Sequence, residues 1–335
     1  MPSSSGRVTK SKYRLLTHLG YGEELKHPVR ENDKTYSKQD AAQADNQLMK
    51  AKPDKHAPSI MAVGAHADDI ELQAGGTLEK YFRHGYEVVY VMSTNNMSGS
   101  FSSLDSDGSI ITRQEPTTEM MARRKLECAN AAREWNTEAI HLDYPQRHYR
   151  NEKLEVVTLK YGAPVPPTPA AGVPSILTAG EDPGAVERVV TLILEKNPEC
   201  IFTHTVATHN PEHFGTALLV TNAYWNAWER GYRGGLLYWV DDETRYGPAF
   251  RRFETYVDYS PLLDRKMELS GKHDCQMPHW RDPGFGHRLV ALEWGKVCGC
   301  LAAETFIWCN RPVHTEGHNP PAYGSLTLEL YQNGR

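Results

Sequence analysis

The sequence predicts an α/β protein: a Rossmann-like, mostly parallel sheet, covered by helices on both faces, within a single catalytic domain. Short apolar segments typical of strands alternate with longer segments whose apolar residues recur at helical spacing. Parallel strands are joined by crossover helices, and these helices cover both faces of the sheet. With 335 residues, 39% of them hydrophobic, the chain is long enough to bury a large core.

The alternation begins at Ser59. The predicted strands are short and apolar and cover residues 60–63, 86–93, 139–142, 200–203, 236–240 and 253–259. The predicted helices cover residues 70–82, 116–135, 185–196, 213–230, 261–272 and 287–303. The first of them carries apolar residues at Leu72, Leu78 and Phe82. A polar loop over 94–109 follows the second strand.

Three segments fall outside this alternation and set the domain boundaries. Residues 1–57 are polar and form an N-terminal extension ahead of a catalytic domain at 58–310. A proline-rich stretch at 161–183 is predicted to be an inserted loop, because proline breaks regular structure. Residues 311–335 form a C-terminal tail.

Bulk properties exclude several classes of function. A net charge of −5 without a basic stripe argues against nucleic-acid binding. No apolar run approaches the ~20 residues of a membrane span. Six cysteines in so long a chain are typical of reduced thiols, and no secretory signal is evident, so a cytoplasmic enzyme is expected. The expected partner is a small molecule, and the sequence leaves a homo-oligomer open.

The most informative segment lies between the first strand and the first helix. A short apolar run ends in His66, and Asp68 and Asp69 follow it. His66 and Asp69 can hold one metal ion, while Asp68 is left to accept a proton. Hydrolytic zinc sites need this division between metal ligands and a base.

A second polar cluster, Thr203 to His213, follows another predicted strand. Ligands of parallel sheets bind beyond the carboxyl ends of the strands, so both clusters are expected on one rim. Catalytic zinc prefers three histidine or carboxylate ligands, and His66, Asp69 and His213 meet that requirement. Iron, cobalt or manganese could occupy the same set.

Simpler interpretations exist for each motif. An Asp-Asp pair before a helix is often only an N-cap. His209 and His213 have the spacing of a zinc finger, but no Cys-x2-Cys motif precedes them. Gly75 and Gly76 lie two turns inside the predicted helix, which fits close helix packing better than a phosphate-binding loop.

The segment Ala65 to Leu78 resembles the signature of the PIG-L/LmbE family of zinc-dependent N-deacetylases, His-Pro-Asp-Asp-x-Glu followed by Gly-Gly. Weaker similarities follow in the family's order and together cover about residues 59–306. They lie at Arg124 to Glu127, Asp143, Pro211 to His213, 257–266, 273–276 and 303–306.

This resemblance implies His66, Asp69 and His213 as metal ligands and Asp68 as the general base. It also implies that Arg124 and Asp143 bind the substrate. A solvated helix face is an equally simple interpretation of Arg124, as is a loop cap for Asp143.

The chain departs from the family pattern at two places. Ala67 replaces the usual proline, which loosens the turn and removes no ligand. Where the family often has a histidine that assists the oxyanion, alignment places Asn210, which can donate a hydrogen bond but carries no charge. His209 or His273 could substitute, so three candidates for this catalytic role remain, although a polar helix end is a simpler account of His273.

The sequence therefore predicts hydrolysis of an N-acetyl group on an amino sugar such as N-acetylglucosamine, or on a sugar-bearing metabolite. Acetate and a free amine would be the products. One alternative is an amidase acting on a thiol conjugate or an acylated natural product. Another is a sugar-binding protein that retains the fold without turnover, which the intact ligand set argues against.

Overall fold

The computed structural model describes residues 9–10, 57–151, 153–158, 174–240, 253 and 255–310. Almost all of the predicted N-terminal extension, most of the inserted loop and the whole C-terminal tail lie outside these residues. Among the described helices, none is long and apolar enough to cross a membrane.

The described strands are numbered in chain order. They are β1 (Thr9–Lys10), β2 (Ser59–Gly64), β3 (Glu87–Thr94), β4 (Phe101–Leu104), β5 (Ile110–Arg113), β6 (Ile140–Tyr144), β7 (His148–Arg150), β8 (Val156–Thr158), β9 (Cys200–Thr203), β10 (Gly235–Trp239), β11 (Thr255–Asp258) and β12 (Ala303–Asn310). Seven of them form the central sheet in the order β11-β12-β10-β9-β2-β3-β6. All its neighbours pair in parallel except the two pairs that involve β12.

The described α-helices cover both faces of this sheet, as predicted. They are α1 (Asp69–Arg83), α2 (Thr117–Arg133), α3 (Ile176–Ala179), α4 (Pro183–Lys196), α5 (Pro211–Glu229), α6 (Leu263–Ser270) and α7 (Gly286–Cys298). Alternate residues of β2 point to opposite faces: Ile60 joins the core beneath α1 and α2, whereas Met61 joins the core beneath α4 and α5. The prediction of a mostly parallel, doubly covered sheet is confirmed.

The strand order creates a crevice. The chain runs from β2 outward through β3 to β6, and then returns to place β9 on the other side of β2. Open α/β sheets bind ligands where the order reverses, beyond the carboxyl ends of the strands. Here that point lies between Gly64, which ends β2, and Thr203, which ends β9.

Close packing explains one of the two helix glycines. A Cβ atom on Gly76 would lie 2.4 Å from Cγ of Tyr259, far inside van der Waals contact. The same atom on Gly75 would meet Lys266 at an ordinary 3.6 Å. The interpretation of the Gly-Gly pair as a packing feature therefore holds at Gly76.

Several elements differ from prediction, among them α3 (Ile176–Ala179), which lies inside the stretch predicted to be an inserted loop without regular structure. The helix predicted over 287–303 ends at Cys298, because Gly299 adopts a left-handed conformation with φ of 79°. The residues after it form β12, an antiparallel strand that was not predicted. The polar loop predicted over 94–109 contains β4, which pairs with β5 as a hairpin.

Candidate metal centre

Two loops at the crevice carry the polar clusters. His66 follows β2, and Asp69 is the first residue of α1. His204 follows β9, and His213 lies in the first turn of α5. Because β2 and β9 are parallel neighbours, with Val63 opposite Thr203, their loops open at the same edge of the sheet.

The three predicted ligands come together. One donor atom from each of His66, Asp69 and His213 lies within 4.8 Å of the others. Nδ1 of His66 is 3.1 Å from Nε2 of His213 and 3.4 Å from Oδ2 of Asp69. Nε2 of His213 is 3.5 Å from Oδ1 of Asp69. Two nitrogens bound tetrahedrally to zinc lie about 3.3 Å apart, so this donor set fits such an ion.

Glu212 holds the outer side of His66. Its Oε2 atom lies 2.6 Å from Nε2 of His66 and also accepts a hydrogen bond from Gln146, while Oε1 accepts the backbone N–H of Arg147. The imidazole thus donates its Nε2–H to a carboxylate and turns Nδ1 toward the ligand triangle. A carboxylate behind a ligating histidine orients the ring and raises its basicity.

These contacts set the charges at the site. Burial alone would lower the pKa of His66, but Asp69 and Glu212 raise it to about 9. Burial opposes ionisation of Glu212, yet its contacts with His66 and Arg147 lower its pKa to about 2. A metal ion would take the place of the proton on Nδ1, so binding is coupled to proton release.

Asp68 has a strained backbone and a separate partner. Its φ of 110° is rare for a residue with a side chain, and such strain is concentrated at functional sites. Asp68 is 8% exposed, and its carboxylate accepts a hydrogen bond of 3.2 Å from Arg124. Burial raises the pKa of Asp68, although the positive charge of Arg124 opposes that shift. Asp68 therefore stands apart from the ligand triangle.

Arg124 and Asp143, the two residues expected to bind substrate, have partners of their own. Arg124 is 4% exposed and donates to the backbone oxygen of Ala67 as well as to Asp68. Its alternative interpretation as part of a solvated helix face is wrong. Asp143 has a φ of 61° and forms a half-exposed ion pair with Lys125.

The three candidates for the oxyanion role lie in different surroundings. Asn210 caps α5, because its side-chain oxygen accepts the backbone N–H groups of Glu212 and His213. His209 is exposed. His273 is fully buried, not a polar helix end, and its Nε2 lies 2.8 Å from Oε2 of Glu71.

Several contributors escaped sequence reasoning. His204 is fully buried and its Nε2 lies 3.0 Å from Oδ2 of Asp69, although it was seen only as part of a polar cluster. Glu212 lay inside the matching stretch Pro211 to His213, but no role was predicted for it. Trp239 is also fully buried and contacts His204. The sequence signal that could have identified these residues was their position, because each lies at the end of a strand, just after one, or at the start of a helix.

Comparison with known proteins supports the architecture described above. The family model for PIG-L, described as GlcNAc-PI de-N-acetylase, matches residues 61–224, which run from β2 into α5 and include both loops of the site.

Three solved structures share the fold. The 4-carboxy-2-hydroxymuconate hydratase GalB from Pseudomonas putida KT2440 is 15% identical, with a TM-score of 0.53 and coverage of 78% of this chain and 99% of that one. N,N'-diacetylchitobiose deacetylase from Pyrococcus horikoshii is 18% identical, with a TM-score of 0.51 and coverage of 86% and 99%. A deacetylase of the teicoplanin biosynthesis pathway is 14% identical, with a TM-score of 0.50 and coverage of 75% and 99%.

Proposed function

Since this chain belongs to the PIG-L family through residues 61–224, we propose that it is a metal-dependent N-deacetylase. Its substrate would be an N-acetylated amino sugar or a sugar-bearing metabolite, and its products acetate and a free amine. The observation that carries the proposal is the convergence of His66, Asp69 and His213, whose donor atoms lie within 4.8 Å of one another.

These three residues would hold the metal, and zinc is the ion that their chemistry favours. When bound, such an ion supplies Lewis acidity, which acidifies a water molecule and polarises a carbonyl group. The protein keeps the ligands ready: Glu212 orients His66, while the backbone N–H of His66 donates to Asp69 at 2.6 Å. Burial of Asp69 and His213, which are 6% and 7% exposed, keeps bulk water from competing.

Asp68 would act as the general base. It would take a proton from the water that attacks the acetamide carbonyl carbon, and would return it to the nitrogen as the C–N bond breaks. Burial raises the pKa of Asp68, which brings the carboxylate closer to the range in which such proton transfer is efficient. The two hydrogen bonds of Arg124, to Ala67 and Asp68, would hold the base in its strained conformation.

The proposed substrate class is supported by similarity to known proteins and not by the shape of a binding pocket. The titles of two structures with this fold name deacetylases, one of diacetylchitobiose and one of teicoplanin biosynthesis. These titles support an N-acetylated sugar, free or carried on a larger metabolite. A thiol conjugate or another acylated natural product would require the same amide chemistry.

Two other functions are compatible with the fold. GalB has it and is named a hydratase, so the fold alone does not select the reaction. A sugar-binding protein without turnover is the second. Incubation of the metal-loaded protein with N-acetylated sugars separates these cases: acetate release supports the deacetylase, whereas bound metal without release from any amide contradicts it.

Two substitutions test the assigned roles. Asp68→Asn should keep the metal and lose turnover by about 10²–10⁴-fold, because it removes the base but preserves the shape. His213→Ala should lose both metal and activity. Asp282→Asn and His84→Ala, which replace exposed residues, are matched controls that should behave as wild type. A largely active Asp68→Asn variant, or a full equivalent of metal on His213→Ala, contradicts the corresponding role.

A further inference from the structure

A buried chain of hydrogen bonds lies behind the ligand triangle. It starts at Trp239, the last residue of β10, and passes through His204, the residue after β9. These strands are parallel neighbours with Tyr238 opposite Thr203, so the next residues on both strands, Trp239 and His204, also lie side by side. Both side chains are fully buried.

The indole determines which nitrogen of His204 carries the proton. Nε1 of Trp239 lies 3.2 Å from Nδ1 of His204, and an indole N–H can only donate. Nδ1 must therefore accept, and the single proton of the neutral ring lies on Nε2. That nitrogen is 3.0 Å from Oδ2 of Asp69 and donates to it. The backbone N–H of Ala65 also points at this nitrogen from 3.1 Å. A proton on Nε2 prevents that nitrogen from accepting it, so the charge-assisted bond to the Asp69 carboxylate is the one that forms.

His204 also contacts a second predicted ligand. Its ring stacks on that of His213, with centroids 3.9 Å apart and an interplanar angle of 23°. One buried ring thus fixes Oδ2 of Asp69 by a hydrogen bond and limits the rotation of His213 by stacking. Oδ1 of Asp69 is left facing Nε2 of His213.

We infer that His204 is a positioning residue that orients Asp69 and His213 as metal ligands, and that Trp239 selects the tautomer of His204 required for this. The inference rests on the metal centre of the proposed function but not on its substrate. Partners of this kind behind metal ligands typically change metal affinity by about 10–100-fold when they are lost.

Two substitutions at His204 separate its two contacts. His204→Phe keeps an aromatic ring over His213 and removes the donor to Asp69. His204→Gln places an amide N–H near the position of Nε2 and removes the stack. We expect His204→Phe to weaken Zn²⁺ binding by about 10–100-fold in a chelator competition, and His204→Gln to recover part of that loss.

Trp239→Phe tests the far end of this chain of hydrogen bonds. It keeps the aromatic bulk and removes the N–H, so His204 can adopt the other tautomer. We expect weaker Zn²⁺ binding and an altered visible absorption spectrum of the Co²⁺-substituted protein, which reports ligand geometry. Trp135→Phe is the matched control, because Trp135 is 2% exposed and donates its N–H to Glu79 away from the crevice.

The readouts keep failure of the inference apart from failure of the proposed function. Wild-type Zn²⁺ affinity and an unchanged Co²⁺ spectrum in folded His204→Phe would overturn the positioning role. Equal effects of Trp239→Phe and Trp135→Phe would overturn the tautomer selection. Acetate release by the wild type reports separately on the reaction. A protein that binds metal tightly, loses affinity on His204→Phe and releases no acetate therefore refutes only the deacetylase.

Discussion

Two buried charged clusters touch helix α1, and they differ in what their charges face. At its N-terminus, the donor atoms of His66, Asp69 and His213 turn toward one shared space. In its middle, Glu304 pairs with Lys266 at 2.6 Å and accepts the backbone N–H groups of Gly76 and Thr77.

The second cluster is closed, because opposite charges and backbone amides satisfy each carboxylate oxygen. The first is open, since one donor atom from each of two imidazoles and a carboxylate faces one shared space within 4.8 Å of the others, and the His66 side chain is 14% exposed. Buried charge by itself therefore does not mark a site. A site is indicated when several side-chain atoms that can bind a metal converge, because burial of such groups together is costly unless an ion or a proton lies between them.

The largest effect is expected when the closed cluster is broken. Lys266→Met leaves Glu304 buried without its counter-ion, and removal of one partner of a buried pair costs about 3–5 kcal/mol. Urea denaturation should show this loss in the free energy of unfolding, while the folded fraction binds Zn²⁺ as the wild type does. Lys125→Met, which breaks the half-exposed pair with Asp143, should cost at most about 1 kcal/mol. A loss of similar size in both variants would contradict the comparison.

A smaller effect is expected at the glycine pair beside the closed cluster. Gly76→Ala would force its Cβ atom against the ring of Tyr259, and overpacking of this kind costs about 1–3 kcal/mol. Gly75→Ala meets only ordinary contacts and should be neutral or stabilise the helix by up to about 1 kcal/mol. Thermal unfolding of both variants checks the expectation, and equal melting temperatures would disprove it.

The open cluster should respond in metal affinity. Glu212→Gln removes the negative charge behind His66, and we expect Zn²⁺ affinity to fall by about 10-fold or more. Glu187→Gln, which breaks an exposed pair with Arg230, is the matched control and should leave affinity unchanged. Undiminished Zn²⁺ affinity in Glu212→Gln would mean that the carboxylate does not support the ligand.

The smallest effect is expected at a third, half-exposed cluster that lies outside the open and the closed cluster, and this effect depends on pH. Partial burial disfavours the charge of Glu134, but hydrogen bonds from Lys272 and Arg265 lower its pKa. Its stabilising contribution is therefore present above the unfolded pKa and is lost as pH falls through the lowered folded value. Glu134→Gln should reduce stability at pH 7 by less than about 1 kcal/mol and remove this part of the acid dependence. Parallel stability curves from pH 7 to 3 would contradict this.

Much of the parallel core could be predicted because its signals are local. Strand 200–203 was predicted with its observed bounds, and the motif from His66 to Asp69 spans a single turn, so its residues meet whatever the rest of the chain does. β12 was missed for two reasons. Its pairing with β10 and β11, which are distant in sequence, leaves no local signal in its own residues, and the residues up to 303 continue an apparent helical pattern.

Arg124 shows where local patterns fail. It lies between Arg123, which is exposed, and Lys125, which is half-buried, and the basic run gives no indication that its middle member is buried against Asp68. Only the packing of α2 against the loop after β2 separates these three neighbours.

The sequence by itself determined the fold class and the local turn that joins His66 to Asp69, and it predicted the candidate ligands, because these depend on periodicity and on neighbouring residues. The tertiary structure alone decided which distant groups complete the site. Glu212 reaches His66, and Trp239 reaches His204, only because parallel strands bring loops more than a hundred residues apart to one edge of the sheet. Register between strands is set by the whole core, and no short stretch of sequence encodes it.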